Sequence, residues 1–394
     1  MALVFRADPR RRLATGAALA ILATALIAGL GRDTVEARVA DGAALAQQPG
    51  RPAPVAERPL VLAYYYIWYT PNSWFRAKTD LPAAGRYASD DPKVVARHVA
   101  WAREAGIDAF VVSWKHEARL DAPLELVAKE ARRQGVKLVL LYQGLDFDRE
   151  PLDPTRIARD LQWFTERYGN DPVFQVFGNK PAVVWSGTWK FSASQIGAVR
   201  QQIGAPGRIL LLGTEKDGDS YGQRASLLDG DAYYWSSADP LSTPRYGDRL
   251  DRLGQSVAAD KGIWVAPAAP GFDARLVGGT SIVPRRDGAT YRESWAGALA
   301  TGPTAIGIIS WNEFSENSQI EPSRQYGTEY LHLTRELVGT LPGGAPAEAP
   351  PGGGLSAPAP RPQALDLYLT LATGLALAVL VVLLGWHLRR RPVG

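Results

Sequence analysis

The sequence predicts an α/β fold of the (β/α)8 type, a TIM barrel, between residues 59 and 342. Eight short β-branched or aromatic runs alternate there with eight amphipathic stretches, joined by short connections. Strict alternation over about 280 residues is typical of one closed parallel barrel. The predicted strands are Leu60–Tyr66, Ala109–Trp114, Lys137–Tyr142, Ala182–Trp185, Ile209–Gly213, Ala232–Trp235, Ile263–Ala266 and Ile306–Trp311. The predicted helices are residues 91–105, 121–134, 154–168, 192–203, 219–228, 247–260, 288–301 and 325–338.

Aspartate and proline mark the starts of two of the predicted helices. Asp90 precedes Asp91-Pro92, and Asp153 precedes Pro154, which is the order of a capping residue followed by proline in the first turn. A doubly wound open sheet is the alternative fold. Such a sheet usually has a glycine-rich phosphate loop after its first strand, whereas this sequence continues with residues 66–69, Tyr-Ile-Trp-Tyr. The barrel is therefore favoured.

Residues 1–30 have the composition of a signal peptide or a signal anchor. A basic segment is followed by an uncharged apolar run at residues 13–30. The small-x-small site at Ala44-Leu45-Ala46 lies far downstream of this run for a signal peptidase, so an uncleaved anchor is favoured. Residues 31–58 show no apolar periodicity and are interpreted as a linker.

The C-terminal end carries the stronger of the two membrane signals. Residues 343–363 are rich in Ala, Gly and Pro and are interpreted as a tether. Residues 364–388 are predicted to form a transmembrane helix, and a basic tail follows at 389–394. Because arginines flank the outer side of both apolar runs, the positive-inside rule places both termini in the cytoplasm. The expected location is the cell membrane, with the lipid bilayer as a partner and the barrel on the extracytoplasmic side.

Charge and composition exclude several functional classes. Each basic end contributes +3 to the net charge of +4, so the remainder carries −2 and has no basic footprint for nucleic acid. The absence of Cys and the spacing of the four His residues argue against a disulfide framework, a zinc site and a Cys nucleophile. No metal and no other cofactor is expected. Twelve Trp and fifteen Tyr residues suit a cleft for sugars, whose C–H faces pack on aromatic rings.

Residues that follow the strands of a TIM barrel face its catalytic mouth. The predicted mouth combines aromatic rings with carboxylates and amides and has few cations, which suits a sugar better than a phosphate or a nucleotide. The candidate substrate-binding residues are Tyr66, Trp68, Tyr69, Trp114, Gln143, Glu215, Lys216, Tyr234, Trp311 and Asn312.

Two carboxylates follow the last predicted strand. An apolar run stops at Trp311, and Glu313 and Glu316 come directly after it, with Pro322 ending the polar cluster. In a helical or tight turn, side chains three residues apart share one face, so both acids would project into the same space. Two convergent carboxylates are the minimum equipment for glycosidic acid/base chemistry. Glu313 and Glu316 are therefore the candidate catalytic residues.

Several ordered motifs resemble glycoside hydrolase family 99, the endo-α-mannosidases, over about residues 60–340. The stretches that carry the resemblance are residues 64–69 (YYYIWY), 87–92 (YASDDP), 105–107 (AGI), 112–114 (VSW), 168–172 (YGNDP), 215–216 (EK), 269–273 (APGFD), 311–316 (WNEFSE) and 319–321 (QIE).

The resemblance implies separate roles for the two acids. By position in the family's closing motif, Glu313 matches the carboxylate that engages the sugar 2-hydroxyl, and Glu316 matches the general acid/base. It further implies retention of configuration through a 1,2-anhydro sugar, in which the substrate's own 2-oxygen is the nucleophile. Since the acid must stay protonated near neutral pH, we expect an aromatic, partly desolvated setting that raises its pKa.

The sequence departs from the family pattern in two places. Phe314-Ser315 and Asn317-Ser318 replace other residues of the closing motif, and Gln143 lies where the family's third strand ends in Glu-Pro-Tyr. The favoured function is a membrane-anchored, endo-acting, retaining glycoside hydrolase for α-mannoside-like linkages in a polysaccharide or glycan. A non-catalytic carbohydrate-binding or polysaccharide-assembly protein on a degenerate barrel is the alternative. A transglycosylase would use the same residues.

Overall fold

The computed structural model describes residues 58–204 and 207–343, and their core is a closed barrel of eight parallel strands. The strands pair in the order β1-β10-β7-β6-β5-β4-β3-β2. The predicted (β/α)8 barrel is therefore confirmed. The barrel strands are β1 (Leu60–Tyr66), β2 (Ala109–Trp114), β3 (Lys137–Gln143), β4 (Ala182–Ser186), β5 (Leu210–Gly213), β6 (Gly230–Ala232), β7 (Ile263–Ala268) and β10 (Ala305–Ile308).

Eight α-helices lie between and after these strands within the described residues. They are α1 (Pro92–Glu104), α2 (Ala118–Gln134), α3 (Pro154–Tyr168), α4 (Ala193–Gln202), α5 (Gly218–Gly222), α6 (Tyr246–Ala259), α7 (Ala289–Ala300) and α8 (Glu329–Gly339). Asp153 caps α3 as predicted and accepts a hydrogen bond from the Thr155 amide at 2.7 Å. The cap of α1 is Asp91 rather than Asp90, and it accepts a hydrogen bond from the Lys93 amide at 2.8 Å. A two-stranded antiparallel hairpin, β8 (Phe272–Asp273) and β9 (Ile282–Val283), is inserted between β7 and α7.

Side chains of the barrel strands alternate between two apolar layers. In β1, Leu62 and Tyr64 point into the barrel, whereas Ala63 and Tyr65 pack against the helices. Both layers are fully buried, which is why the strands are continuously apolar in sequence. The same alternation directs the last residue of β1, Tyr66, towards the mouth of the barrel.

Several predicted boundaries differ from the structure: the helix predicted over 121–134 is Ala118–Gln134, and the one predicted over 325–338 is Glu329–Gly339. The sixth strand is Gly230–Ala232 rather than Ala232–Trp235. The prediction missed its start because Gly230 and Asp231 lack the apolar character of a strand. Glycine is required there, since a Cβ on Gly230 would lie 2.1 Å from the Ile263 carbonyl oxygen. The predicted helix 219–228 is the short α5 followed by a 3-10 turn at Ala225–Leu227. The last strand ends at Ile308, before the polar residues that follow it.

The segments predicted outside the barrel are not part of the described residues. This applies to the N-terminal segment 1–30, to nearly all of the 31–58 linker and to the C-terminal tether, apolar segment and basic tail. Within residues 58–204 and 207–343, no helix is long and apolar enough to cross a bilayer.

Candidate active site

The two candidate acids lie on a loop of residues 309–322, named here the acid loop, that leaves β10 at the mouth of the barrel. The Ile309 amide donates to the Ala268 carbonyl and the Trp311 amide to the Tyr64 carbonyl, each at 2.8 Å, so the loop starts between β7 and β1. It then closes on itself, because the Ser310 amide donates to the Ser318 carbonyl at 2.8 Å. The peptide bond between residues 309 and 310 is cis.

Glu313 is nearly inaccessible, with 8% of its surface exposed. Its amide donates to the Ser310 hydroxyl at 2.9 Å, and its Oε1 accepts a hydrogen bond from the Ser315 amide at 3.1 Å. Burial, followed by repulsion from the Glu316 carboxylate, raises the pKa of Glu313 to about 8, while the Ser315 hydrogen bonds and the Lys78 ammonium act in the opposite direction.

Glu316 is half-buried one turn further along the acid loop. Burial raises its pKa above the ordinary range, and the Arg149 guanidinium partly opposes this. Its backbone carbonyl accepts a hydrogen bond from the Asp273 amide at 2.7 Å, which fixes the loop against β8. Glu313 and Glu316 line the same cleft, as the i, i+3 spacing predicts.

The cleft has a volume of about 480 Å³ and opens at the C-terminal ends of the strands. This is the end at which TIM barrels carry their active sites. Six aromatic side chains line it together with the two acids, and Arg149 is the only cation among the described lining residues. The aromatic residues are Tyr66, Trp68, Trp189, Tyr234, Trp235 and Phe272.

A second cavity, of about 520 Å³, opens at the opposite end of the barrel. Its charged lining residues include Arg58 and Asp108, which form an ion pair at 2.6 Å. It has no pair of convergent carboxylates, and it lies at the end of the fold that usually serves stability rather than catalysis. The cleft with Glu313 and Glu316 is therefore the candidate active site.

Four of the ten predicted substrate-binding residues line the cleft. Tyr66 and Tyr234 contact each other through their hydroxyls, and the Trp68 ring stacks on Tyr66 with 4.4 Å between centroids. Gln143 lines the cleft at the end of β3 and donates from Nε2 to the Ser113 hydroxyl at 2.8 Å. Gln143 thus has a side-chain amide at the position where the family pattern has the carboxylate of Glu-Pro-Tyr.

Trp114 and Trp311 do not reach the cleft. Trp114 is fully buried in the outer layer, where its indole N–H donates to Asp121 at 2.9 Å and its ring stacks on Trp163. Trp311 is also fully buried and packs edge-on against Phe110 at 5.1 Å. Both indoles point away from the cleft because a position at the end of a strand does not decide the direction of the side chain, whereas alternation along the strand does.

Four further predicted contacts support the cleft without lining it. Glu215 is fully buried 3.4 Å from Arg224, and burial raises its pKa. Lys216 places its ammonium 3.7 Å over the ring of Trp189. Tyr69 donates from its hydroxyl to the Asn312 carbonyl at 2.6 Å, and Asn312 itself is fully buried. In the structure these four side chains have packing and hydrogen-bonding roles, and substrate contact through them stays a prediction.

Trp189 and Arg149 line the cleft but were not among the predicted site residues. Trp189 lies in a 3-10 turn after β4, and its ring centroid is 5.9 Å from that of Trp235. The sequence analysis placed Trp235 at the end of a predicted strand. Arg149 lies in the turn after β3 with a φ of 63°. The sequence signal for Trp189 was a large aromatic residue four positions beyond the end of a strand. Among the residues that the structure describes, no group of three or more His, Cys, Asp or Glu side chains is placed to hold a metal ion.

Comparisons with known proteins agree with the resemblance seen in the sequence. The model of glycosyl hydrolase family 99 matches residues 76–335, more than half of the chain. The glycoprotein endo-alpha-1,2-mannosidases of Rattus norvegicus and Mus musculus are each 24% identical to it, over 286 and 287 residues. These alignments cover 64% of this chain and 58% of each relative, so the chain spans somewhat more than half the length of the curated relatives it matches.

Solved structures show the same fold. The GH99 endo-alpha-mannosidase from Bacteroides thetaiotaomicron superposes with a TM-score of 0.62 at 18% identity, covering 71% of this chain and 96% of that enzyme. A glycoside hydrolase-like protein superposes with a TM-score of 0.56 at 16% identity, covering 74% and 96%. The family predicted from the sequence is thus confirmed, and its class of enzyme is the one predicted. The chain belongs to glycosyl hydrolase family 99.

Proposed function

We propose that this protein is an endo-acting, retaining glycoside hydrolase that cleaves α-mannoside-like linkages in a polysaccharide or glycan. The observation that carries the proposal is the buried acid pair, Glu313 and Glu316, in one aromatic-lined cleft at the mouth of the barrel. Family membership and the names of the two curated relatives support α-mannoside as the linkage class.

The first step forms a 1,2-anhydro sugar. Glu313 accepts the proton of the sugar 2-hydroxyl, and the 2-oxygen forms a bond to the anomeric carbon. The bond from that carbon to the leaving oxygen breaks, and Glu316 donates its proton to the departing oxygen. In the second step Glu316 takes a proton from water, and the water oxygen forms a bond to the anomeric carbon. The bond between that carbon and the 2-oxygen breaks, and Glu313 returns its proton to the 2-oxygen. Two inversions at one carbon give net retention.

The chemistry requires the acid pair to hold one proton. In the free protein, burial favours the neutral form of both acids, with the pKa of Glu313 at about 8. The proposed roles need that proton on Glu316 once the glycan is bound. A 2-hydroxyl that donates to Glu313 stabilises the ionised form of this side chain, so substrate binding itself favours transfer of the proton to Glu316.

The cleft lining favours a neutral sugar. Aromatic rings accept the C–H faces of sugars, and Trp189 and Trp235 extend this lining beyond the two acids. Lys216 holds Trp189 through a cation–π contact, which reduces the freedom of the ring before a sugar binds. Because Arg149 is the only described cation of the lining, an anionic sugar would meet little compensating charge.

The proposal includes a location. The apolar runs at residues 13–30 and 367–386, with arginines on their outer sides, support an anchor at the cell membrane and a barrel on the extracytoplasmic side.

Release of oligosaccharide from α-mannan and from bacterial exopolysaccharides tests the activity. General acid/base groups contribute about 100-fold or more, so Glu313→Gln and Glu316→Gln should each lose at least this factor. Glu336→Gln, a change at an exposed carboxylate of α8, serves as the matched control and should keep full activity. Equal activity in the wild type and in Glu316→Gln would contradict the proposal.

An activated aryl glycoside separates the two roles. Its leaving group departs without protonation, so Glu316→Gln should recover much of its first-step rate on this substrate, whereas Glu313→Gln should not. NMR of the first product should show the α anomer. Tight glycan binding without turnover would instead support the non-catalytic alternative, and transfer to an added sugar acceptor would support a transglycosylase.

A further inference from the structure

Asn312, the residue before Glu313, has every polar atom of its side chain in use. Its Oδ1 accepts a hydrogen bond from the Tyr66 amide at 2.9 Å, and its Nδ2 donates to the Tyr66 carbonyl at 2.9 Å and to the Tyr87 hydroxyl at 3.1 Å. The side-chain amide of Asn312 thus pairs with the backbone of Tyr66 as the backbone of a neighbouring strand would. Whatever holds Asn312 in place also fixes the point from which Glu313 enters the cleft.

The Tyr87 hydroxyl links Asn312 to a second buried residue. While it accepts from Asn312, it donates to Oε2 of Glu321 at 2.9 Å. The Tyr87 ring is 7% exposed and packs edge-on against Trp74 and His98, with centroid distances of 4.9 and 5.1 Å. The ring is therefore held by packing, and the hydroxyl is free to serve two partners.

Glu321 and His98 form a buried pair behind Tyr87. Their exposed fractions are 2% and 1%, and 3.2 Å separates Oε1 of Glu321 from Nε2 of His98. Among the described residues, no donor meets hydrogen-bond geometry at this Oε1, so the nearby His98 nitrogen contacts it without a directed hydrogen bond. His98 lies on α1, and its Nδ1 is 3.1 Å from the Tyr65 hydroxyl. A carboxylate removed from water is costly unless partners hold it, so this pair is a fixed point of the structure.

None of these four side chains lines the cleft, so they cannot act by touching the glycan. They form a continuous chain of contacts from α1 to the acid loop and the end of β1. The last residues of this series of contacts affect the cleft, since Asn312 precedes Glu313 and its partner Tyr66 is a lining residue.

We propose that Tyr87 is a positioning residue, whose hydroxyl connects the His98–Glu321 pair to Asn312 and so holds Glu313 and Tyr66 in register for the reaction. This inference rests on the proposed function. We name the four residues His98, Glu321, Tyr87 and Asn312 the tyrosine brace.

Tyr87→Phe tests the brace, because it removes the hydroxyl and keeps the packed ring. Tyr291→Phe is the matched control: Tyr291 is equally buried, and its hydroxyl contacts Thr334 at 3.0 Å between α7 and α8. Because small misplacement of a reacting group costs rate rather than binding, we expect kcat of Tyr87→Phe to fall about tenfold or more, with KM within about twofold of the wild type. The control should change neither.

The ionisation of Glu313 gives a second readout, which does not depend on activity. A Glu313 released from its position gains water, so its pKa should fall in Tyr87→Phe and stay unchanged in Tyr291→Phe. Carboxyl 13C NMR on glutamate-labelled protein measures this shift. Equal titration and equal kcat in the two variants would overturn the proposal, as would a rise in KM at constant kcat.

Glu321→Gln tests whether the parts act together. If Tyr87 works through Glu321, the double variant Tyr87→Phe/Glu321→Gln should be about as slow as the slower single variant. If the fold losses in kcat of the two single variants multiply in the double variant, Tyr87 and Glu321 act independently, and the proposal that Tyr87 works through Glu321 is overturned. The brace and the proposed function are tested by different results. Full activity in Glu316→Gln would refute the proposed function, whereas the NMR titration of Glu313 tests the brace whether or not the protein is active.

Discussion

Glu313 and Glu316 are the same residue type three positions apart, and their surroundings give them different properties. Glu313 is almost inaccessible and hydrogen-bonded to the Ser315 amide, whereas Glu316 is half-buried and experiences the charge of Arg149. Each ionised carboxylate disfavours ionisation of the other, so the pair releases its protons in two separate steps. Between these steps the pair carries one proton, which is the state that the proposed chemistry requires.

At the residue scale, kcat/KM should follow a bell-shaped dependence on pH. Above about pH 8 the pair loses its remaining proton, so the general acid is absent and activity falls. At low pH both acids are protonated, so the base is lost and activity falls. The midpoint of this acidic limb should lie above the ordinary pKa of a glutamate, because burial raises the pKa of Glu316. Kinetics from pH 4 to 10 measure both limbs.

A lysine variant checks the assignment of the upper limb. The Lys78 ammonium lowers the pKa of Glu313, so Lys78→Met should move this limb to higher pH. Lys93→Met, a change at an exposed position on α1, is the control and should leave it in place. A limb that moves to lower pH in Lys78→Met would contradict the assignment.

At the scale of elements, the acid loop is held by side chains from outside it. Arg285, just before α7, is buried and donates to the Asn317 carbonyl at 3.0 Å and to the Gln319 carbonyl at 2.8 Å. Its guanidinium lies over the rings of both Tyr326 and Tyr330, at 4.4 and 4.2 Å from their centroids. Burial of a cation is tolerated here because carbonyl oxygens and aromatic faces replace water.

Arg285→Met should loosen the acid loop. Methionine keeps the apolar stem between the tyrosines but leaves two buried carbonyls without their donor, so we expect a loss of about 3 kcal/mol or more in the free energy of unfolding. Activity should fall further than stability alone explains. Arg286→Met, at the exposed neighbour that pairs with Asp239 at 2.7 Å, is the control with a smaller expected loss. Denaturant unfolding measures both, and equal losses would contradict the role of Arg285.

At the scale of the whole molecule, the first and last described residues lie at the end of the barrel opposite the cleft. Arg58, at the start of the described residues, and Gly343, at their end, border the same cavity at the N-terminal end of the barrel. The cleft opens at the other end. A protein held through both ends of its chain would therefore present its cleft away from the attachment points.

The proposed location makes the full chain a membrane protein. It should sediment with membranes after an alkaline carbonate wash, and external protease should digest the barrel in intact cells. Deletion of residues 364–394 should leave the chain in the membrane if the N-terminal segment is an uncleaved anchor, and further deletion of residues 1–30 should then release it. A full chain found in the soluble fraction would contradict the prediction.

The sequence predicted the barrel well because its strands are buried on both sides and so are continuously apolar. It misplaced β6, where Gly230 and Asp231 serve tight pairing and a buried hydrogen bond rather than apolar packing. It predicted that the two acids share one cleft, because three-residue spacing after a strand is a local signal. It did not find the tyrosine brace, whose key contact joins residues 312 and 87, which are 225 positions apart.

The shared position of Arg58 and Gly343 also has a mechanical consequence. If both ends are anchored, a pull on either one loads the floor of the barrel. There Asp108 receives the Arg58 guanidinium at 2.6 Å and the Val61 amide at 2.7 Å. Force would be carried across this clamp and into the neighbouring strands, while the acid loop at the opposite rim would stay unloaded.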